Sequence, residues 1–172
     1  PESFPKSYNI AQLVAGPVLA AATNSPLLFG RRLWHETRVA VFQQAVDTRT
    51  SSYYLQETSS RVSFGRRWVE NSVLELFHED IARYRVLLGC ETPPQSPFES
   101  LKAGKPPRLE ALQLHNSTVY RWNRPCYGIS DGKPHLRIEN RVLPAGPSVL
   151  DEVANATFWI GLMRGMPKVC PD

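Results

Sequence analysis

Residues 135–143 read HLRIENRVL, and this stretch decides how the chain folds. Apolar and charged residues alternate along it, which is the period of a β-strand, because successive side chains of a strand point to opposite faces. The face directed at the core is expected to carry Leu136, Ile138, Asn140 and Val142. The other face is expected to carry His135, Arg137, Glu139 and Arg141. Neighbours on one face of a strand lie about 6.6 Å apart.

This charged row has the chemistry of a site for a metal-bridged polyphosphate. A carboxylate such as Glu139 can ligate a divalent cation, and the flanking Arg137 and Arg141 can neutralise phosphate oxygens through forked hydrogen bonds. The same pattern is also typical of a solvated strand face with cross-strand ion pairs. Spacing alone leaves both interpretations open.

A partner strand is predicted just before this stretch, at residues 116–124. The loop between the two strands contains Asp131-Gly132, a dipeptide typical of tight hairpin turns. Arg121 and Arg124 bring two more guanidinium groups to the same hairpin. Surface arginines beside an aromatic cross-strand pair would give the same sequence pattern.

Helices are predicted around the hairpin from apolar residues at a 3.6-residue period. They span residues 8–23, 31–46, 71–88 and 148–163. Pro17 would either kink the first helix or begin a second one. Ser72 with Glu75 predicts the start of the third helix, and Gly89 its end. Helices packed on antiparallel strands predict the α+β class.

The chain has 172 residues, the size of one domain, and 42% of them are hydrophobic, enough for a core. We predict a helix-rich part over residues 1–90, a Pro-rich connection over residues 91–112, and the hairpin with the last helix over residues 113–172. Lys and Arg exceed Asp and Glu by 20 − 16 = +4. This mild excess favours anionic partners without naming one.

Membrane and secreted classes are disfavoured by the sequence. The longest apolar run, residues 10–23, is interrupted by Gln12, Gly16 and Pro17, and it falls short of the roughly 18 residues that a membrane span needs. No signal-peptide pattern is present. The cysteines are odd in number and form no C-x-x-C pair: Cys90, Cys126 and Cys170. We therefore predict reduced thiols, a cytoplasmic protein and no membrane partner.

Other charged clusters are expected to have no site chemistry. His78, Glu79 and Asp80 are consecutive on a helix and diverge by about 100° each, so we expect a solvated face rather than a metal site. The arginines at 61, 66 and 67 next to Trp68 could bind nucleic acid by charge and stacking. Because the chain contains no recognised nucleic-acid motif, we do not expect nucleic acid as a partner. Cys126 is expected to be a packed thiol, and residues 158–160 a core segment or a subunit contact.

Five short segments follow one another in an order that is typical of a known family. They are ATNSP at 22–26, RRLW at 31–34, TVYRWNR at 118–124, HLRIENR at 135–141 and ATFWIGL at 156–162. In this order they resemble the C-terminal part of the glutamate–cysteine ligase family of plants and many bacteria. That family belongs to the carboxylate–amine ligases with a glutamine-synthetase-like fold, and the resemblance covers most of the chain.

The resemblance implies an ATP-dependent and Mg²⁺-dependent reaction. Such enzymes phosphorylate the side-chain carboxylate of glutamate, and an amine, typically that of cysteine, attacks the acyl phosphate to form an amide. By motif match, Glu139 corresponds to a metal-binding carboxylate. Arg141 and Arg124 are the implied catalytic residues. They would contact phosphate together with Arg137, while the glutamate substrate would lie near Arg31, Trp34 and Arg38.

The sequence also departs from that family. The family fold begins with strands that carry closely spaced glutamates, whereas this chain has no E-x-E motif. A Mg²⁺ ion bridging a triphosphate needs more oxygen ligands than Glu139. We therefore expect a C-terminal fragment, or one piece of a split or truncated ligase, which alone is inactive or only a weak binder. Its partner would be the missing N-terminal half of the ligase domain. A homo-oligomer stays open.

The alternative is a non-catalytic basic module that binds an acidic partner or nucleic acid. The two hypotheses differ in geometry. The ligase hypothesis requires one concavity lined by Arg124, Arg137, Glu139 and Arg141. The alternative allows these side chains to spread over a convex face.

Overall fold

The computed structural model describes residues 3–47, 49, 59–89 and 96–169. The helices are α1 (Phe4–Ala22), α2 (Thr37–Ala45), α3 (Leu74–Arg83), α4 (Pro97–Lys102), α5 (Glu110–Thr118) and α6 (Val149–Val169). The strands are β1 (Leu27–Leu28), β2 (Arg31–Arg32), β3 (Val62–Ser63), β4 (Tyr120–Arg121), β5 (Asn123–Ser130) and β6 (Lys133–Asn140). The chain is therefore α+β, as predicted. Cys90, Cys170 and the first part of the predicted Pro-rich connection lie outside the described residues.

The hairpin of β5 and β6 is the largest sheet of the described residues. The two strands are antiparallel, with Arg124 opposite Glu139 and Cys126 opposite Arg137. Asp131 and Gly132 both have positive φ, 51° and 71°, as a two-residue hairpin turn requires. Charged and apolar side chains alternate between the faces of β6 as predicted, although the strand covers 133–140 rather than 135–143.

Helix α1 is the centre of the core. Near its start, Phe4 and Tyr8 pack against Leu136 and Ile138 of β6. Further along, Ile10, Val14 and Val18 pack against α6 through Trp159, Leu162, Met163 and Met166. The helix is one continuous element, and Pro17 lies inside it on the exposed side, where water can bind the carbonyl that lacks a helix donor. Of residues 158–160, predicted as a core segment or a subunit contact, Trp159 packs against α1, whereas Phe158 and Ile160 are exposed.

The prediction of a helix over 31–46 is wrong at its beginning. Phe29 and Gly30 adopt positive φ, 49° and 77°, and close a tight turn between β1 and β2. Arg31 and Arg32 are consequently in a strand, and the helix begins at Thr37. The turn overrides helix propensity because its two left-handed residues reverse the chain.

The prediction for residues 71–88 is wrong in its ends and in its buried face. The helix covers 74–83, and Tyr84 is already extended, so Gly89 does not end it. Glu75 does accept hydrogen bonds from the backbone N–H groups of Asn71 and Ser72, at 2.6 and 2.8 Å. The predicted apolar stripe is buried only in part: Phe77 and Tyr84 are buried, whereas Leu74 and Ile81 are exposed, and Glu79 and Asp80 are buried instead.

Two further boundaries differ from the predictions. Residues 116–118, predicted as strand, form the last turn of α5, and the strand begins only at Tyr120. The last helix begins one residue after the predicted Ser148 and continues to Val169, past Pro167. None of the described helices has the length and apolar character that crossing a lipid bilayer requires.

Candidate anion-binding site

Glu139 is held between two arginines on the outer face of the hairpin. Arg124 donates to Oε2 of Glu139 from Nε at 2.9 Å and from Nη2 at 2.6 Å. Arg141 donates from Nε to Oε1 at 3.3 Å. Partial burial acts to raise the pKa of Glu139, but the hydrogen bonds and charges of the two arginines outweigh it and keep that pKa below its usual value. Glu139 is therefore an ionised carboxylate that fixes both guanidinium groups.

A cleft runs between this face and helix α5. Its narrow inner part, about 170 Å³, is lined by Arg124, Cys126 and Arg137 from the hairpin and by Gln113 and Asn116 from the helix. Its wider outer part, about 590 Å³, shares Gln113 and Arg137 with the inner part and adds two further basic side chains, Arg108 and His135. The cleft is therefore continuous, with arginines along its length.

Two hydrogen bonds fix α5 beside the hairpin and so define the width of the cleft. The Asn116 side-chain amide donates to the carbonyl oxygen of Pro125 at 2.9 Å, and both residues are buried. The Tyr127 hydroxyl donates to the carbonyl oxygen of Pro107 at 2.8 Å, in the segment that leads into the helix. Pro125 lies in a non-bonded pair of the ladder, so its carbonyl points away from β6 and is free to accept from α5.

Gly128 makes room for the basic pair of the outer cleft. Nη1 of Arg137 lies 3.1 Å from Nε2 of His135, and both side chains lie across the backbone of β5 at Gly128. A Cβ atom at position 128 would lie 2.7 Å from Nη1 of Arg137 and 2.8 Å from Nε2 of His135. Any larger residue would displace this pair.

Arg141 lies on the opposite side of Glu139 from Arg124. Its guanidinium carbon is 4.5 Å from the centre of the Tyr120 ring, a cation–π contact. Its Nη1 atom is buried and has no hydrogen-bond partner among the described residues. Of the four residues that the ligase hypothesis requires in one concavity, Arg124 and Arg137 line the cleft, whereas Glu139 and Arg141 line neither part of it.

The predicted substrate residues lie elsewhere. Arg38 donates from Nη2 to the carbonyl oxygen of Val142 at 2.6 Å, pairs with Glu36 at 3.3 Å, and covers the ring of Trp122. It thus fastens α2 to the end of the hairpin. Arg31 and Trp34 are exposed, and neither they nor Arg38 line the cleft.

The described residues do not form a metal site. No group of three or more His, Cys, Asp or Glu side chains converges among them. Both oxygens of Glu139 accept from guanidinium groups, so a cation here would lie beside two positive charges. The phosphate half of the predicted chemistry fits this site, whereas the Mg²⁺ half needs ligands from outside the described residues or from the nucleotide itself.

Cys126 lies at the inner end of the cleft. Its Sγ is 3.5 Å from Oε2 of Glu139, close enough for the thiol to donate to that carboxylate. Burial raises the pKa of the thiol, and the negative charge of Glu139 adds to this, against the lowering effect of Arg124. Cys126 is therefore a packed thiol with a raised pKa that lines the cleft, and its packing agrees with the prediction from the sequence.

Sequence analysis missed a buried charge cluster behind the hairpin. Arg121 donates to Asp80 at 2.7–3.1 Å and to Glu79 at 2.8 Å. The predicted solvated face at 78–80 is thus wrong for the two acids, because Arg121 compensates their charges. Gly65, with φ of +99°, leaves space for this guanidinium, since a Cβ there would lie 2.9 Å from Nη1 of Arg121.

Arg61 is also structural rather than a nucleic-acid contact. It is buried, donates from Nη2 to the carbonyl oxygen of Arg85 at 2.8 Å, and covers the ring of Tyr84. Gln113 and Asn116 of the cleft were missed because 116–118 was predicted as strand. The good helix formers of residues 110–114 were the signal that could have placed them.

The chain matches no protein-family profile, no curated protein and no solved structure.

Proposed function

We propose that the chain forms the phosphate- and carboxylate-binding wall of an ATP-dependent carboxylate–amine ligase of the glutamate–cysteine ligase type. The observation that carries the proposal is that Arg124 and Arg137 line one cleft, with the ionised Glu139 orienting Arg124 through two hydrogen bonds. The resemblance of residues 118–124 and 135–141 to that family supports it. In this proposal the chain is the C-terminal part of a glutamine-synthetase-like domain.

The proposed reaction has two steps. A side-chain carboxylate oxygen of glutamate attacks the γ-phosphorus of ATP, and ADP leaves, which gives an acyl phosphate. The amine of cysteine, or of another acceptor, then attacks the acyl carbon, and the phosphate leaves with the proton that the amine loses, which gives the amide and hydrogen phosphate. Both steps move negative charge between phosphate oxygens, so catalysis depends on positioning and charge neutralisation.

The residues of the cleft have distinct roles in this proposal. Arg124 and Arg137 bind phosphate oxygens, with Arg124 preset by its two hydrogen bonds to Glu139. Arg141 lies outside the cleft and holds Glu139 from the other side through Nε at 3.3 Å, so that it helps to fix the carboxylate that orients Arg124. Mg²⁺ would arrive with the nucleotide, and the carboxylates near the cleft are Glu139, beside Arg124, and Glu110, in the lining of the outer part.

Binding is tested first, with the chain itself. Tripolyphosphate and ATP are titrated calorimetrically into the wild type and into Arg124→Met and Arg137→Met. One charged hydrogen-bonding group is worth about 1.5–3 kcal/mol, so each variant should bind at least ~tenfold more weakly. Arg164→Met is the matched control, because Arg164 is an exposed arginine of α6 outside the cleft. Equal affinities in all four proteins would refute the cleft as the phosphate site.

Turnover is tested second. ADP release is measured with Mg²⁺, glutamate and a panel of amines, using the chain alone and the chain extended by the upstream part of its gene. Amine-dependent ADP release in the extended protein, lost in Arg124→Met, is the expected result. Absence of turnover in an extended protein that is folded and binds ATP would refute the ligase reaction while leaving the phosphate site intact.

A second candidate, binding of single-stranded nucleic acid, is favoured by one surface. Arg66, Arg67 and the exposed Trp68 border a groove of about 560 Å³ beside Phe64. An exposed indole next to two guanidinium groups can stack a base and bind its phosphates. Saturable, salt-sensitive binding of oligo-dT that Trp68→Ala abolishes would support this function, and its absence would remove the candidate.

A further inference from the structure

The hydrogen-bonding pattern of the hairpin follows from its turn. A two-residue turn at Asp131-Gly132 makes Ser130 and Lys133 a mutually bonded pair, and bonded and non-bonded pairs then alternate along the ladder. The only prolines of the hairpin, Pro125 and Pro134, fall in non-bonded pairs, where no N–H is needed. Beyond the strands, the N–H of Arg141 donates to the carbonyl of Trp122 at 2.8 Å, in step with the same alternation.

The alternation decides which backbone groups point away from the hairpin. On β6 these are the N–H and C=O groups of Leu136, Ile138 and Asn140. No backbone or side-chain partner for them occurs elsewhere in the described residues. The outer edge of β6 is therefore an open edge with a regular series of donors and acceptors.

The outer edge of β5 is closed along its first part by contrast. The carbonyl of Asn123 accepts from the Tyr8 hydroxyl at 3.1 Å, and the carbonyl of Pro125 accepts from Asn116 at 2.9 Å. Pro125 also lacks an N–H, and the helices α1 and α5 supply the two donors. At Asn123 and Pro125, the edge of β5 is thus not available for another strand.

A groove follows the open edge. It has a volume of about 490 Å³ and lies between β6 and the start of α1, where Ser3, Phe4 and Ser7 form its other wall. Leu136 and Ile138 contribute apolar side chains to its floor. An edge strand beside a helix, with apolar pockets between them, is an arrangement that binds extended segments by strand addition.

We propose that the open edge of β6 binds an extended protein segment in which apolar residues alternate with carboxylates. Side chains of an added strand alternate between faces in step with β6. Those on the α1 side enter the apolar groove. Those on the other side lie next to Arg137 and Arg141, on a face where Arg124, Arg137 and Arg141 outnumber the single carboxylate of Glu139. Opposite charges across neighbouring strands are favourable, so acidic residues fit there.

The probe is the acetylated and amidated peptide TVEVEVT, titrated into the chain by fluorescence anisotropy. TVKVKVT has the same pattern with reversed charge, and TVEPEVT lacks one central donor. Saturable binding of TVEVEVT is expected, with at least ~fivefold weaker binding of each control, the value of about one net backbone hydrogen bond or charged pair. Equal binding of the three peptides would overturn the proposal.

Amide hydrogen exchange locates the bound peptide without any substitution. The outward N–H groups of Leu136, Ile138 and Asn140 should exchange fast in the free chain and slowly in the complex. The inward N–H groups of Arg137 and Glu139 should be protected in both. Peptide binding that leaves the outward amides unprotected would place it elsewhere and refute the proposal.

A pair of matched variants adds a second test. Leu136→Pro removes an outward N–H from the edge of β6, whereas Ile129→Pro removes one from the outer edge of β5. Both positions lie in non-bonded pairs, so the ladder is kept, and thermal melts verify folding. Only Leu136→Pro should weaken the peptide, by at least ~fivefold. If both variants weaken peptide binding equally, the assignment to β6 is refuted. If the chain self-associates and the same amides are protected without peptide, a second copy of the chain occupies the edge instead. Because neither experiment uses ATP, failure here is distinct from failure of the ligase function.

Discussion

Replacing Arg121 by methionine should destabilise the chain more than any other single charge removal in the hairpin region. The Arg121 side chain is 5% exposed and donates to Asp80 through Nε and Nη2 and to Glu79 through Nη2, at 2.7–3.1 Å. Glu79 keeps a second ion pair with Arg83 at 3.1 Å, whereas Asp80 has no other ion pair within the described chain. Arg121→Met therefore leaves Asp80 as an uncompensated buried carboxylate.

The expected cost follows from that geometry. Removing one partner of a buried ion pair costs about 3–5 kcal/mol. For a chain of this size, about 2–4 °C is lost per kcal/mol, so the midpoint of thermal unfolding should fall by about 6–20 °C. Urea unfolding followed by circular dichroism gives the free energy of unfolding. The matched control is Arg121→Met combined with Asp80→Leu, which removes the unpaired charge and should recover most of the loss.

The pH dependence provides an independent check of the cause. Burial raises the pKa of Asp80 above its usual value even beside Arg121, and loss of that arginine raises it further. A carboxyl group whose pKa is raised by folding destabilises the fold at pH values above its pKa in the unfolded chain, about 3.9. It has no effect at pH values well below that pKa. The deficit of Arg121→Met should thus be larger near pH 7 than near pH 4. A loss below about 1 kcal/mol near pH 7, or a double variant no more stable than the single one, would refute the reasoning.

Four smaller predictions concern the surface of the hairpin and the turn before α2. Glu139→Gln should lower the free energy of unfolding by less than about 1 kcal/mol, because the side chain is partly exposed. Since the pKa of Glu139 is lowered in the fold, this difference should be present above about pH 4.3 and vanish as the pH falls through the lower pKa of the folded state. A difference between the urea midpoints of wild type and variant that does not change with pH would contradict this prediction. Cys126 should react with iodoacetamide near pH 8 at least ~tenfold more slowly than a cysteine peptide, because burial raises its pKa, as peptide mass mapping would show; equal rates would disprove its burial. Gly128→Ala should weaken tripolyphosphate binding without large loss of stability, because a Cβ displaces Arg137, and unchanged calorimetric affinity would argue against this positioning. Phe29→Asn should stabilise the chain by about 0.5–1 kcal/mol in urea unfolding, because Phe29 is 97% exposed at positive φ, and a destabilised variant would show that the aromatic ring has a contact.

The hairpin was predictable from the sequence because its determinants are local. Alternation along 135–143 sets the faces of β6, and Asp131-Gly132 sets the turn. The partnership of Arg124 with Glu139 then depends on register, which the turn position fixes. Prediction of the strand ends was less successful, because the chain leaves the ladder after Asn140 to pack Val142 in the core.

The missed features depend on contacts distant in sequence. Asp80 is buried because Arg121, forty-one positions later, compensates its charge, and no periodicity within 71–88 contains that information. A prediction from an apolar stripe places acidic residues at the surface. It therefore buries Leu74 and Ile81 where the structure buries Glu79 and Asp80. The turn at Phe29 was missed for a different reason: a bulky residue seldom adopts positive φ, so its presence there gives no turn signal.

The two proposals for the hairpin rest on different atoms of the same strand. Phosphate binding uses the side chains of odd-numbered residues of β6, which face α5, whereas strand addition uses the backbone groups of even-numbered residues, which face outward. Because the pleat separates these sets, Arg137→Met should strongly weaken the binding of tripolyphosphate. It should have little effect on the part of peptide binding that depends on backbone hydrogen bonds and apolar contacts. An added acidic strand would nevertheless lie beside the arginine row. Carboxylates of the added strand could supply oxygen ligands for Mg²⁺ at this place, since Glu139 alone offers too few. A bound acidic strand that increases Mg²⁺-dependent affinity for ATP would therefore connect the two proposals, and the wild type and Leu136→Pro, compared with and without TVEVEVT, would measure that connection.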